Sequence, residues 1–98
     1  MSSKVTWSSY SQKDVASILE YLALRWNNKI AENFVNILDE NIKRIVSDPE
    51  RFPFLYKSLK IRKCVITKHN VLYYKKTDSG IYILRIYDTR QNPGTLKF

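Results

Sequence analysis

The pattern of hydrophobic positions changes its period along the chain, and each change predicts a different element. Near the start, Val5 and Trp7 alternate with Thr6 and Ser8. An alternation of period two is typical of a half-buried strand, so residues Lys4–Ser9 are predicted to form a short first strand, with Trp7 as a core anchor.

Two amphipathic helices are predicted next. Ser11 stands three residues before Asp14, a spacing typical of a capping box at the start of a helix. The helices bury stripes at helical spacing, formed by Val15, Ile18, Leu19, Leu22 and Trp26 in the first and by Ile30, Phe34, Ile37, Leu38, Ile42, Ile45 and Val46 in the second. The Asn27–Asn28 pair predicts the break between them, and Pro49 ends the second helix at about Ser47. The sequence therefore predicts an antiparallel helical hairpin.

The second half of the chain predicts a meander of three strands. An extended, irregular segment, Pro49–Tyr56, comes first. Three predicted strands follow. The first, Leu59–Ile66, mixes apolar and basic residues, and the other two, Val71–Lys76 and Ile81–Asp88, are rich in β-branched and aromatic residues. Turns are predicted at Lys68–Asn70 and Asp78–Gly80. The order β-α-α-β-β-β predicts a single α+β domain over residues 1–98, with the N-terminal helical hairpin packed on one face of a small antiparallel sheet.

Alternation along the last predicted strand separates two sets of side chains. One set is Tyr82, Leu84 and Ile86, and the other is Ile81, Ile83, Arg85 and Tyr87. We expect one face to pack on the helices and the other to end in Arg85, Tyr87 and, just beyond the strand, Arg90.

The charge of the chain is strongly one-sided. The net charge is +8, yet residues 1–50 carry six Lys/Arg against seven Asp/Glu, while residues 51–98 carry eleven against two. A solvated basic face would aid solubility, but clustering of this degree favours attraction of a polyanion or of an acidic protein partner.

Several kinds of chemistry find no support in the residues. The lone cysteine, Cys64, cannot form an internal disulfide, and with no leader pattern this indicates a cytoplasmic protein without a membrane span. Cys64 is expected to be a small buried hydrophobe and His69, the only histidine, a surface residue beside a turn; neither suggests a metal site or a cofactor. Tyr73 and Tyr74 are expected to pack on alternate faces of the sheet, although tyrosines on a sheet can also stack on bases.

The chain resembles the ParE branch of the RelE/ParE toxin superfamily over nearly its whole length. The resemblance rests on the helical hairpin followed by "DPERFPFLY", "IRKCVITKHNVLYYK" and "IYILRIYDTRQNP", of which the last is the most specific. It implies a toxin neutralised by a cognate antitoxin, through an acidic, amphipathic segment that wraps the toxin. It implies no cofactor.

The superfamily contains two mechanisms, and the resemblance leaves both open. RelE-like members are ribosome-dependent ribonucleases that use two lysines, two arginines and a C-terminal tyrosine, whereas ParE-like members inhibit DNA gyrase by binding it. In this chain Arg90 matches a family arginine, and Lys60 and Arg62 could stand for the paired basic residues. Val71 stands where another arginine is expected, and no tyrosine follows Tyr87. The incomplete set favours the gyrase-binding branch.

The residues expected to bind a partner are Arg85, Tyr87, Arg90, Lys60, Arg62, Lys63 and Lys68. Arg90, Arg62 and Lys60 would be the catalytic candidates if the chain were a ribonuclease acting on messenger RNA. A third hypothesis is a non-toxic module that binds nucleic acid through the basic sheet.

Overall fold

The computed structural model describes residues 4–90 and shows an α+β domain. The prediction of an N-terminal helical hairpin packed on a sheet is confirmed. The elements are β1 (Lys4–Trp7), α1 (Ser9–Arg25), α2 (Asn28–Ser47), β2 (Phe54–Tyr56), β3 (Ile61–Thr67), β4 (Asn70–Thr77) and β5 (Gly80–Asp88). No helix in this part of the chain is both long and apolar enough to cross a membrane.

Both helices begin at a capping side chain. Asn27 caps α2, accepting from the Ile30 amide at 2.9 Å, at the predicted break between the helices. The cap of α1 is Ser8, whose hydroxyl oxygen accepts from the Ser11 amide at 3.0 Å. The predicted capping box at Ser11 and Asp14 is therefore wrong by one turn. Ser11 is buried in the first turn, and Asp14 is used in a different contact, described below.

The five strands form one sheet in the order β1-β5-β4-β3-β2. The predicted meander of β3, β4 and β5 is antiparallel, while β1 runs parallel to β5, with Val5 opposite Ile81. The segment expected to be irregular contains β2, which pairs with the start of β3 in an irregular register. Its three residues are too few for an alternation to be visible in the sequence.

The main core lies between the helices and the sheet. Its fully buried side chains include Ile45, Leu72, Tyr74 and Ile83. Trp7 packs against this core as predicted. Trp26 does not, since it is the C-cap residue of α1 and is 68% exposed. Since the chain leaves the helix at this residue, its ring departs from the stripe that the helical spacing predicts.

A bulge in β5 changes which side chains face the helices. Tyr73 lies opposite Arg85 and Tyr74 opposite Ile83, so Leu84 has no partner across the ladder. The strict alternation expected along this strand is therefore wrong after Ile83. Ile86 joins Ile81 and Ile83 in the helix-side core, while Leu84 and Tyr87 pack on the other face.

Tyr73 and Tyr74 lie on opposite faces of the sheet, as expected from the sequence. Tyr73 packs with Ile61 and Tyr87 in a second, smaller cluster on the face away from the helices. Tyr74 lies in the main core, and its hydroxyl donates to the Pro49 carbonyl at 2.7 Å. Burial raises the pKa of Tyr74 to about 12, so this phenol stays protonated and keeps its bond at neutral pH.

Candidate partner-binding surface

The sequence-predicted site residues do not all lie together. Lys60, Arg62 and Lys63 form a first group at the start of β3, and Tyr87 and Arg90 form a second group at the end of β5. Arg85 lies between the groups, in the same cross-strand row as Lys63, since both are ladder partners of Tyr73. Lys68 belongs to the second group in space, because it lies in the β3–β4 turn, where the Thr89 amide donates to the His69 carbonyl at 2.7 Å.

The ladder gives the distance between these groups. Arg62 lies opposite Tyr74, and Thr67 lies opposite Asn70, which in turn lies opposite Asp88. Five residues of strand separate Arg62 from Thr67. At about 3.3 Å per residue, the Arg62 and Asp88 backbones are roughly 16 Å apart along the strand direction, and Arg90 follows two residues beyond Asp88.

Arg62 forms hydrogen bonds with the segment between α2 and β2. Its Nη1 donates to the carbonyls of Glu50 at 3.0 Å and Phe52 at 2.6 Å. Its guanidinium also lies over the Phe54 ring, 3.9 Å from the centroid. Because Arg62 shares a face with Tyr74, it points to the helix side of the sheet, where these bonds give it a structural role.

The neighbouring lysines are solvent-exposed. Lys60 adopts a positive φ of 57° in the turn that leads into β3, and Lys63 lies on β3 itself. A cavity of about 490 Å³ opens beside them. It is lined by Glu50, Phe54, Lys57, Lys60, Arg62, Lys76, Thr77 and Asp78. Glu50 pairs there with Lys76 at 2.8 Å, and this bond lowers the pKa of the Glu50 carboxyl.

On β5, Arg85 forms an ion pair with Asp14 of α1. Its Nε donates to Asp14 Oδ2 at 2.8 Å and its Nη2 donates to Asp14 Oδ1 at 3.0 Å. The Ile86 amide also donates to Asp14 Oδ2, at 3.0 Å. The two side chains are only 17% and 16% exposed. One carboxylate therefore joins the first turns of α1 to the bulged part of β5.

Arg90 pairs with Asp88 just beyond β5. Its Nη2 donates to Asp88 Oδ2 at 2.7 Å and its Nε to Asp88 Oδ1 at 3.0 Å, which lowers the pKa of the Asp88 carboxyl. The Arg90 side chain stays 45% exposed, and its guanidinium lies 5.5 Å from the centroid of the Tyr21 ring. Arg90 thus presents a cation at the rim of the domain, and the Asp88 carboxylate and the Tyr21 ring hold its side chain in position.

The remaining candidates differ in exposure. Tyr87 is buried in the small cluster beside Tyr73, whereas Lys68 is exposed. Cys64 is buried, as expected, and burial raises the pKa of its thiol. His69 is half-buried in its turn. Within residues 4–90, no three His, Cys, Asp or Glu side chains lie close enough together to hold a metal ion.

Three residues near Arg90 were not identified from the sequence as part of a site. A cavity of about 330 Å³ lies between α1 and the end of β5, with Asp14, Tyr21 and Asn70 among its lining residues. Asp14 was predicted to be a cap and Asn70 a turn residue. Nothing in the local sequence could have revealed their shared location, because it depends on the packing of α1 against β5.

Solved structures with a similar fold include two toxin–antitoxin complexes. A chain from the chromosomal ParDE toxin–antitoxin system of P. aeruginosa superimposes with a TM-score of 0.75 at 15% identity, covering 88% of this chain and 95% of that one. A chain from the E. coli DinJ-YafQ toxin–antitoxin complex superimposes with a TM-score of 0.61, also at 15% identity, covering 92% of this chain and 96% of that one. At this identity the two superpositions show a shared fold.

The sequence itself identifies the family. A search of curated protein sequences found no match. The family model described as "ParE toxin of type II toxin-antitoxin system, parDE" matches residues 5–93, almost the whole chain. The chain therefore belongs to the ParE toxin family of type II toxin–antitoxin systems.

Proposed function

We propose that this ParE-family toxin acts in the cytoplasm by binding DNA gyrase and inhibiting replication, and that a cognate acidic antitoxin neutralises it. Membership of the family supports a toxin paired with an antitoxin. The choice of a protein-binding mechanism over RNA cleavage rests on the placement of the basic residues.

The observation that carries this choice is the separation of Arg90 from the other two catalytic candidates, Lys60 and Arg62. A ribonuclease must place its general acid, its general base and its phosphate-binding cations around one phosphodiester. The backbones of Arg62 and of the residues beside Arg90 lie roughly 16 Å apart along the sheet, and the Arg62 guanidinium is bonded to backbone carbonyls, which does not favour a shared phosphate.

The bonding of the candidates supports the same conclusion. Arg62 is held by two backbone carbonyls, and Arg90 is paired with Asp88. By the resemblance, Val71 stands where a RelE-like ribonuclease has an arginine. The alternative is a RelE-like ribonuclease that acts on ribosome-bound messenger RNA, and the experiment below distinguishes it from the gyrase inhibitor.

The charge distribution supports an acidic antitoxin. The excess of cations in residues 51–98 favours encounter with an acidic protein through long-range attraction. The same excess of cations could attract nucleic acid, which is the basis of the third hypothesis. A module that only binds nucleic acid in a salt-sensitive way would leave growth unaffected when the protein is expressed.

The proposal predicts that the purified protein blocks DNA supercoiling by gyrase. The measurement is ATP-dependent supercoiling of a relaxed plasmid over a titration of the toxin, with cleavage of messenger RNA on stalled ribosomes assayed in parallel. Inhibition of supercoiling with intact RNA is the expected result. Full supercoiling activity at about a tenfold molar excess of toxin, together with RNA cleavage, would assign the chain to the ribonuclease branch.

Arg90→Ala is predicted to weaken gyrase inhibition about tenfold, the effect of losing a charge-assisted contact of about 1.4 kcal/mol. The fold should persist because the Arg90 side chain is 45% exposed. Lys76→Ala is the matched control, since Lys76 is an exposed cation that also pairs with a carboxylate, at the other end of the sheet. Unchanged inhibition by a folded Arg90→Ala variant would remove Arg90 from the binding surface.

A further inference from the structure

The cavity at the start of β3 carries more positive than negative charge. It has a volume of about 490 Å³, and its charged lining residues are Lys57, Lys60, Arg62, Lys76, Glu50 and Asp78. Glu50 and Lys76 are paired with each other, and Arg62 Nη1 donates to two backbone carbonyls. The proposed contact of Arg90 with gyrase does not use this cavity, because Arg90 lies near the β3–β4 turn, at the opposite end of β3.

Lys57 and Lys60 are the two lining cations whose charge is left for a ligand. Both residues are exposed, and within residues 4–90 no carboxylate lies within salt-bridge distance of either side chain. The Lys60 amide donates to the Lys57 carbonyl at 3.0 Å, which closes a four-residue turn. Such a turn holds its first and last Cα atoms within about 7 Å of each other. The turn therefore keeps two like charges close together.

The backbone of Lys60 is also strained. Its φ of 57° lies in the left-handed region, and it is the only residue other than glycine with a positive φ in the described part of the chain. Glycine adopts this conformation readily and asparagine tolerates it, whereas a lysine side chain is disfavoured there. Strained residues of this kind cluster at ligand-binding sites. The Lys60 side chain thus does not favour the turn that carries it, which points to a role outside the fold.

The cavity offers a ligand charge rather than apolar contact. Phe54 is the one apolar residue among the described residues that line it, and the Arg62 guanidinium lies over that ring at 3.9 Å. Protein interfaces centre on apolar and aromatic anchors, whereas nucleic-acid backbones are held by cations. Duplex DNA carries one negative charge per about 1.7 Å of its axis, so neighbouring phosphates can neutralise both lysines of the turn.

We propose that this cavity binds the phosphate backbone of duplex DNA, with Lys57 and Lys60 as the neutralising cations. In naming DNA, the inference rests on the proposed function, because gyrase acts on DNA and a toxin bound to gyrase lies near that DNA. The inference differs from the third hypothesis, which describes a non-toxic module that uses the face of the sheet. Here the toxin contacts gyrase through one end of the sheet and DNA through the other.

The first test is fluorescence anisotropy of a labelled duplex of about 20 base pairs, titrated with the full chain from about 50 mM salt upward. Lys60→Gln should weaken binding at least about threefold and reduce the salt slope by about 1, the effect of losing one phosphate contact. Lys75→Gln is the matched control, because Lys75 follows the core residue Tyr74 on β4 and therefore points to the other face of the sheet. It should change the affinity by less than about twofold.

A second variant separates binding from the structure of the turn. Lys60→Gly should unfold at a urea concentration no lower than that of the wild type, because glycine adopts a positive φ without a steric cost. It should nevertheless bind the duplex at least about threefold more weakly, as Lys60→Gln does. Wild-type affinity of Lys60→Gly would overturn the proposal.

A third variant is expected to act in the opposite direction. Asp78 lines the cavity, and within residues 4–90 it forms no ion pair. Asp78→Asn should therefore tighten DNA binding by about twofold to threefold, since it removes a negative charge beside the phosphates. Asp39→Asn, the same substitution on the exposed side of α2 away from the cavity, should leave the affinity unchanged. Equal effects of the two substitutions would contradict a site in this cavity.

The remaining outcomes concern the ligand. Polyglutamate that binds as tightly as the duplex and depends equally on Lys60 would assign the cavity to an acidic protein. Tighter, Lys60-dependent binding of single-stranded RNA would assign it to RNA, and either result would overturn the proposal. A toxin that inhibits gyrase while Lys60→Gln and Lys75→Gln bind DNA equally would refute the cavity alone. A protein that binds DNA through Lys60 without inhibiting gyrase would refute the proposed function alone.

Discussion

Replacement of Gly80 by alanine, which adds a single methyl group, is expected to lower the free energy of unfolding by about 3 kcal/mol. Gly80 begins β5 with φ of +151°, a conformation that side-chain-bearing residues rarely adopt. A Cβ at this position would lie 2.0 Å from the Lys4 carbonyl oxygen and 2.7 Å from the Lys4 amide nitrogen. Both obstacles are backbone atoms, so neither can rotate away.

The clash acts on β1 because Gly80 is the ladder partner of Lys4. Relief of the clash requires the first residue of β1 to move from β5, which weakens the packing of Val5 and Trp7 against the main core. We therefore expect lower stability together with a change in the surroundings of Trp7.

Urea denaturation with matched controls measures the effect. The midpoint should fall while the m-value stays unchanged. Ser79→Ala is the control, because Ser79 is exposed in the same turn, and its free energy of unfolding should stay within about 0.5 kcal/mol of wild type. In a background without Trp26, the fluorescence of Trp7 reports whether β1 has moved. Wild-type stability of Gly80→Ala would mean that β1 does not require this close approach.

The elements of this fold could be predicted from the sequence because their causes are local. The helical spacing, the break at the Asn27–Asn28 pair and the turn that contains Gly80 all act within a few residues, and the structure bears them out. Errors arose where a local pattern had two solutions. Ser8 and Ser11 both precede an apolar stripe, and only the contact of Ser8 with the Leu84 carbonyl, at 2.6 Å, favours the earlier cap.

The candidate site was less predictable because its geometry depends on contacts between distant parts of the chain. The basic residues were identified by type, yet their separation into two groups follows from strand register. The bulge at Leu84 leaves no mark on composition or spacing. The partner of Arg85 is Asp14, 71 positions away. Because the sequence does not reveal this ion pair, Arg85 was predicted to bind a partner protein.

The ion pair between Asp14 and Arg85 predicts the second large effect. Asp14→Asn is expected to lower the free energy of unfolding by about 2–3 kcal/mol. The substitution preserves the shape of the side chain, and an amide oxygen can still accept from the Ile86 amide, so the loss isolates the charge. The Arg85 side chain is 17% exposed, and its guanidinium would lose the negative charge of the carboxylate to which it donates.

The control for this prediction is an ion pair of equal length in a different environment. Lys76 and Glu50 also approach to 2.8 Å, but their side chains are 52% and 65% exposed. Glu50→Gln should therefore leave the urea midpoint of unfolding unchanged within the error of the measurement. Equal effects of the two substitutions would show that burial does not strengthen the dependence on Asp14.

The same variant separates the structural role of Arg85 from its predicted role in partner binding. In a double-mutant cycle of Asp14→Asn with Arg85→Met, a coupling free energy of about 2 kcal/mol is expected, because the two substitutions remove the two charges of one ion pair. Gyrase inhibition, measured per folded molecule, then decides the function. If Asp14→Asn inhibits like the wild type and Arg85→Met does not, Arg85 binds the target; if both inhibit normally once folded, Arg85 serves only to join α1 to β5.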